Sequence, residues 1–251
     1  MTPRRKSPVV VKVTESHMCS VGLRLEILSR VPFFAGLPHG DLEAINRLFR
    51  EQGFGLGEII CFAGDPAERL FVLADGRAKL LSHSLSGKDV LLDILKPGEF
   101  FGSLSSLGDD VYPETAEAQT QTCVLSIGAE DFRQMLQAHP QVALKVLDIV
   151  SGRLRGAHDR LMHLSALPVE ARLANILLIL SGKFGKRTEV GLLIEVPLTR
   201  EDLAAMTGTT TESASRVLSQ FQRDRLIRSG RQWVAVRDSE RLKAIAEQEN
   251  S

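Results

Sequence analysis

The 251 residues carry 31 Lys and Arg against 31 Asp and Glu, with 43% hydrophobic and 5% aromatic residues, the balance of an ordinary globular protein of one or two domains. No apolar run approaches the roughly 20 residues of a membrane span, and the N-terminus lacks the apolar stretch of a secretory signal, so a cytoplasmic protein without a membrane partner is expected. Three widely separated cysteines, Cys19, Cys61 and Cys123, form neither a disulfide framework nor a zinc motif.

Taken in order, residues 1–21 read as a mobile tail, mixing Pro3, Pro8 and basic residues with a short valine run, Val9–Val11. Leu25, Ile27, Leu28, Val31-Pro32-Phe33-Phe34 and Gly36-Leu37 predict a short helix and turn; Asp41 is read as the cap of a further helix with Leu42, Ile45 and Leu48 inside. From Gly53 to Ile127 glycines punctuate short apolar segments: Glu58–Phe62, Leu70–Ala74, Ala78–His83, Asp89–Leu95, Ala116–Gln119 and Cys123–Ile127. Short strands at such spacing predict a small antiparallel barrel or sandwich within a 22–138 domain.

Phe132, Met135 and Leu136 mark a short helix ended by His139-Pro140. A long amphipathic helix follows over 139–166, with Val142, Val146, Ile149, Leu154, Leu161 and Leu164 read as one apolar seam. Packing against its copy in a second chain is the natural way to bury such a seam. Leu167-Pro168 breaks the pattern and opens a 167–251 domain, whose first helix is Ala171–Leu180, followed by a loop through Gly182, Gly185 and Gly191.

The stretch Leu198–Asp238 carries the functional signal. Thr199 with Asp202 forms a capping-box pattern, Gly208 sits where a tight turn needs positive φ, and Thr209 with Glu212 repeats the cap spacing. The second helix places Ala214, Val217, Leu218 and Phe221 on one face, and Thr211, Glu212, Ser215 and Arg216 on the other, near its N-terminus. A DNA-recognition helix meets base edges with that end. Leu226–Arg228 and Gln232–Val236 around Ser229-Gly230-Arg231 predict a small hairpin. Between Arg216 and Arg237 six arginines accompany one acid, Asp224, a local excess suited to phosphates. The residues expected at DNA are Thr199, Thr209, Thr210, Thr211, Glu212, Ser213, Ser215, Arg216 and Arg231.

The order β-roll, long helix and winged helix-turn-helix resembles the Crp–Fnr family of bacterial transcription regulators. The resemblance rests on Gly64-Asp65-Pro66, Leu70–Leu73, Asp75-Gly76-Arg77-Ala78-Lys79-Leu80, Pro97-Gly98-Glu99-Phe100-Phe101-Gly102 and the C-terminal stretch. It implies an α+β architecture: an N-terminal antiparallel β-roll of the cyclic-nucleotide-binding jelly-roll type, a long dimerisation helix and a C-terminal winged helix-turn-helix. It also implies double-stranded DNA and RNA polymerase as partners, and activation as the usual mode.

Two departures bear on the effector. In nucleotide-binding members a Glu after Phe-Gly meets the ribose and an Arg pairs with the cyclic phosphate. Here Ser103 takes the Glu place and Glu114 stands at or beside the Arg place, where a carboxylate would repel the anion. Cyclic AMP is therefore not expected in a pocket of Phe101, Gly102, Ser103, Leu104, Glu114 and Thr115, unless an arginine from elsewhere supplies the charge. An iron–sulfur cluster would need four thiolates, which three scattered cysteines do not provide; Cys61 and Cys123 read as small core residues, and Cys19 as the better redox candidate. Haem-binding relatives leave a secondary alternative through His17, His83, His139, His158 or His163, although a lone helix histidine is more often solvated or packed than an axial ligand. No metal or cofactor is expected.

Glu212-Ser213-Ala214-Ser215-Arg216 resembles the E-x-x-S-R pattern of the oxygen-regulator branch. The resemblance implies that Arg216 reads a guanine, Glu212 a cytosine amino group and Ser215 a thymine, in a palindrome of TTGA(T/C)-like half-sites. The resulting expectation is a homodimeric, sequence-specific transcription regulator. The alternative is a regulator governed through the β-roll by a small molecule, a haem-bound gas, a redox signal or a cyclic nucleotide in an altered pocket. No nucleophile elbow, P-loop or paired metal ligands point to an enzyme.

Overall fold

A computed structural model describes residues 21–83, 89–103 and 110–247. The expectations for residues 1–20, including His17 and Cys19, and for Leu104 fall outside the described residues. The chain forms two compact units whose boundary, Arg155/Gly156, falls inside one long helix.

The first unit opens with α1 (Val21–Arg30) and α2 (His39–Asn46). Asp41, expected as the cap of α2, lies instead within its first turn, and Pro38 holds the N-cap position without a side-chain hydrogen bond. Proline's fixed φ and missing N–H suit that helix entrance. Eight strands follow: β1 (Arg50–Phe54), β2 (Ile59–Cys61), β3 (Arg69–Asp75), β4 (Ala78–His83), β5 (Asp89–Leu95), β6 (Phe100–Gly102), β7 (Thr115–Ala118) and β8 (Thr122–Gly128). They form two sheets of order β1-β8-β3-β6 and β2-β7-β4-β5, with antiparallel pairing throughout. That order is a jelly roll.

Neighbouring positions on β3 and β8 serve two different cores. Leu70, Val72 and Ala74 with Cys123, Leu125 and Ile127 face a helix-side core that includes Leu28, Phe33, Phe34, Phe132 and Val142. Phe71, Leu73 and Val124 face an inter-sheet core with Ala78, Leu80, Phe101 and Tyr112. Successive side chains on a strand point to opposite faces, so a sheet covered on both sides requires an unbroken apolar run. Cys61 lies in the inter-sheet core and Cys123 in the helix-side core, both buried and unbridged, as expected of small core residues.

After α3 (Ala129–Ala138), the helix α4 runs Pro140–Ala166. The single seam expected along it divides into two faces. Val142, Val146 and Ile149 pack on the helix-side core. Leu144, Leu147, Leu154 and Leu161 instead stand 65, 63, 57 and 63% exposed. From Leu144 the spacings are three, seven and seven residues, the phase of a heptad stripe, and Ser151 and His158 occupy the intervening seam positions.

The second unit comprises α5 (Val169–Phe184), β9 (Gly185–Thr188), β10 (Gly191–Ile194), α6 (Arg200–Met206), α7 (Thr211–Arg223), β11 (Ile227–Gly230), β12 (Trp233–Val236) and α8 (Ser239–Ala246). Its sheet runs β11-β12-β10-β9. The loop expected through Gly182, Gly185 and Gly191 is in fact the end of α5 followed by the β9–β10 hairpin. At Gly185 an added Cβ would lie 2.0 Å from the Ser181 carbonyl oxygen, so a close backbone approach, and not a loose loop, explains that glycine.

Candidate nucleic-acid interface

α6 and α7 are set by their caps. Thr199 Oγ1 accepts from Asp202 N (3.0 Å) and the Asp202 carboxylate accepts from Thr199 N (2.9 Å), a complete capping box. Gly208 takes φ +59° in the turn. The second cap is Thr210 and not Thr209: Ser213 N donates to Thr210 Oγ1 at 3.1 Å. Thr209 lies in the turn, where its N–H donates to the Ala204 carbonyl. Glu212 thereby falls at the second helical position, one short of the capping-box partner, and its exposed side chain is not committed to closing the helix.

The stripe Ala214, Val217, Leu218 and Phe221 is buried, which orients α7. Thr211, Glu212 and Arg216 are exposed, and Ser213 and Ser215 are half-buried beside them. Ser213 Oγ accepts from Thr210 Oγ1 (3.0 Å) and, more loosely, from Arg216 Nη2 (3.5 Å). An open groove of about 1050 Å³ runs along this face, lined by Glu212, Arg216, Gln220 and Arg223 of α7 and by Val169 and Glu170 of α5.

At its C-terminus α7 closes with Leu226 N on the Phe221 carbonyl and Arg225 N on the Gln222 carbonyl, with Arg225 itself left-handed at φ +61°. The wing differs from expectation in its turn: Ser229 and Gly230 belong to β11, and Arg231-Gln232 make the two-residue connection. Gln232 accepts the positive φ (+61°), while at Gly230 an added Cβ would lie 2.3 Å from the Trp233 indole nitrogen and would displace that ring. Arg231 is thus presented at the tip, exposed.

Two arginines not singled out in the sequence join the site. Arg200, the first residue of α6, donates from Nη1 to the Ser215 carbonyl of α7 at 3.0 Å. Arg241 of α8 donates to the Asp224 carbonyl at the end of α7 (3.2 Å). The signal for Arg200 was its place directly after the Thr199 cap; Arg241, seventeen residues from its partner, had none.

The expected effector residues surround the end of β6. Phe101 stacks on Phe71 with centroids 5.2 Å apart and is a core residue. Gly102 holds φ +83°, and a Cβ there would meet Phe71 Cδ2 at 2.9 Å. Ser103 and Thr115 are buried, and Thr115 Oγ1 accepts from Ala63 N at 3.0 Å. Glu114 is half-buried. From α4, Arg153 lays its guanidinium over the Phe100 ring (3.8 Å to the centroid) and donates to the Phe100 carbonyl (2.7 Å). Desolvation pulls its pKa below the ordinary value, opposed by the charges of Glu99, Asp93 and Glu114. His139 faces Asp41, Nδ1 to Oδ2 3.7 Å, and among the described residues no three metal-ligating side chains converge.

A jelly roll, a long helix and a capped helix pair followed by a β-wing together define a regulator that binds DNA through a helix-turn-helix. The chain matches the cyclic nucleotide-binding domain over residues 51–139 and the Crp-like helix-turn-helix domain over 171–245. It is 30% identical over 219 residues to a CRP-like cAMP-activated global transcriptional regulator of Mycobacterium tuberculosis, spanning 86% of this chain and 97% of the relative. It is 31% identical to the cyclic AMP receptor protein of Thermus thermophilus over 86% and 96% of the two chains. The structure of FixK2 from Bradyrhizobium japonicum superposes with a TM-score of 0.71 at 23% identity, covering 80% of this chain and 98% of that one, a likeness of fold. The chain belongs to the Crp–Fnr family of transcription regulators.

Proposed function

We propose that this regulator acts as a two-fold dimer that reads a palindrome of TTGA(T/C)-like half-sites in the cytoplasm, and that it activates transcription through RNA polymerase without cyclic AMP. The carrying observation is the division of α7: its apolar stripe is buried, and Glu212, Ser215 and Arg216 are left at the opposite, N-terminal face. Arg216 suits the O6 and N7 acceptors of guanine and Glu212 a cytosine amino group. Arg231 at the wing tip and Arg223 at the end of α7 suit backbone phosphates. The heptad-spaced leucines of α4 support a second copy as the dimer partner.

The effector reading rests on Ser103 and Glu114 standing where nucleotide-binding members carry Glu and Arg. Both relatives named above bear cyclic AMP in their names, so on this reading the chain would differ from them in its effector. A second reading is favoured by one observation: Arg153 brings a guanidinium to the neighbourhood of Glu114 and could serve a ligand anion from the helix side.

The test is fluorescence anisotropy on a TTGAT-N4-ATCAA duplex and a scrambled control, at two salt concentrations, first without ligand and then with cyclic AMP. Tight, specific binding without ligand is the expected result. Specific binding that arises only on adding cyclic AMP would overturn the pocket argument and support the Arg153 reading.

A further inference from the structure

Arg172 lies on α5, apart from the residues assigned to DNA above, yet its guanidinium reaches the turn between α6 and α7. Its Nη1 donates to the Thr207 carbonyl at 2.7 Å. Thr207 is the C-cap of α6, so that carbonyl belongs to the unpaired set at the negative end of the helix, where a cationic donor is the favoured partner.

The remainder of the turn closes around the same bond. Thr209 N donates to the Ala204 carbonyl (3.1 Å), Thr207 Oγ1 donates to the Leu203 carbonyl (2.7 Å), and Gly208 supplies the left-handed residue between them. A Cβ on Gly208 would stand 3.6 Å from Arg172 Nη1 and 3.2 Å from Leu164 Cδ2. Two residues after Gly208, Thr210 caps α7. Beside the direct packing of α7 on α5, the Arg172 side chain therefore ties the turn from which α7 leaves to α5. The Nε of that guanidinium is buried without a hydrogen-bond partner, a desolvation cost that the Thr207 bond has to offset.

We propose that Arg172 is a positioning residue for sequence recognition: it fixes the α6–α7 turn so that Glu212, Ser215 and Arg216 meet base edges in register, and it does not itself touch DNA. The inference rests on α7 being the base-reading helix, and it deepens that reading.

Sites are first selected from a random duplex library by the wild-type protein. Specific and non-specific affinities are then measured across a salt series for wild type, Arg172→Met, Arg172→Lys and Gly208→Ala, well below each melting temperature. Arg172→Met is expected to lower the specific-to-non-specific ratio about 10-fold, the size of one misread base pair, with non-specific affinity and salt slope unchanged. Arg172→Lys, which keeps one donor for the carbonyl, recovers part of the ratio. Gly208→Ala, strained at positive φ, lowers the same ratio, and combined with Arg172→Met it falls short of the product of the single effects.

A salt slope reduced by about 1 in Arg172→Met would identify a direct phosphate contact and overturn the proposal. An unchanged ratio in a variant that only melts earlier would overturn it equally. If Arg172→Met does not fold, Arg172→Lys and Gly208→Ala decide on the same criteria. A wild type that selects no sequence would instead refute the reading of α7, and this inference with it.

Discussion

Leu154→Ala tests the division of α4 into two faces. Leu154 is 57% exposed in the single chain, at the centre of the stripe Leu147, Leu154 and Leu161. Burying a whole leucine side chain is worth roughly 1.5–3 kcal/mol, so covering the exposed part contributes about 1–1.5 kcal/mol per protomer. In a parallel two-fold pair each seam residue faces its own copy, and the substitution removes the contribution twice, about 2–3 kcal/mol per dimer. The dimer dissociation constant should rise roughly 30- to 150-fold. Val146→Ala is the control, because Val146 packs on the helix-side core of its own unit. It should lower the melting temperature through a loss of about 1 kcal/mol and leave the dissociation constant unchanged. Sedimentation velocity over a dilution series reads both. Dimerisation of Leu154→Ala at wild-type strength, or equal weakening by Val146→Ala, would refute the assignment of faces.

Three further outcomes follow from particular atoms. Arg216→Ala should relax selection at the guanine of each half-site by about 1–3 kcal/mol in a competition assay, while a loss uniform across all sequences would reduce Arg216 to a phosphate contact. The Cys61 thiol is pushed from 9.0 up to about 11, chiefly by burial and also by the charges of Glu114 and Asp65. Its contribution is complete below pH 9 and is lost as pH rises towards 11, because only the unfolded chain ionises in that window; urea midpoints should fall by the equivalent of about 2–3 kcal/mol more in wild type than in Cys61→Ala, and parallel curves would contradict this. Arg225→Gly should raise the melting temperature, since the left-handed φ of +61° costs a non-glycine residue about 1 kcal/mol, and an unchanged or lower value would show that the side chain more than offsets that strain.

The helix pair was legible because its determinants are local: the caps, Gly208 and the apolar stripe of α7 all lie within a few residues of what they control. The one-residue error at the second cap came from three consecutive threonines, Thr209 to Thr211, any of which can accept from the backbone three positions on. Strand β3 was legible as an unbroken apolar run and β8 as one interrupted only by Ser126. β1 was not, since its sequence REQGF is largely polar and exposed and is held as a strand by pairing with β8. β6 is only three residues long and takes its partner from β3, some thirty residues earlier. The two faces of α4 were merged because periodicity reports that residues are apolar and not which body covers them. Arg153, Arg172 and Arg241 could not be found in the sequence for a related reason: each meets a backbone carbonyl, and any residue type can offer one.

The zero net charge now has a physical meaning through its distribution. Six arginines with one acid between Arg216 and Arg237 give the recognition segment a positive field suited to a duplex, and the net acidity this leaves in the rest of the chain does not cancel a field that salt screens within about 10 Å. In the jelly roll the balance is reversed: Asp93, Glu99 and Glu114 all act on the single guanidinium of Arg153. That guanidinium is already engaged by the Phe100 carbonyl and ring. An anionic ligand entering beside Arg153 would meet these carboxylates and would have to compete with the protein for that guanidinium. In the proposed reading, a carboxylate at Glu114 at or beside the place of the family's guanidinium both removes an anchor for phosphate and adds to the repulsion of it. Replacing Glu114 by Arg is the direct reversal of that argument. It should confer measurable protection by cyclic AMP against thermal unfolding where the wild type shows none, and a wild type already protected would remove the premise.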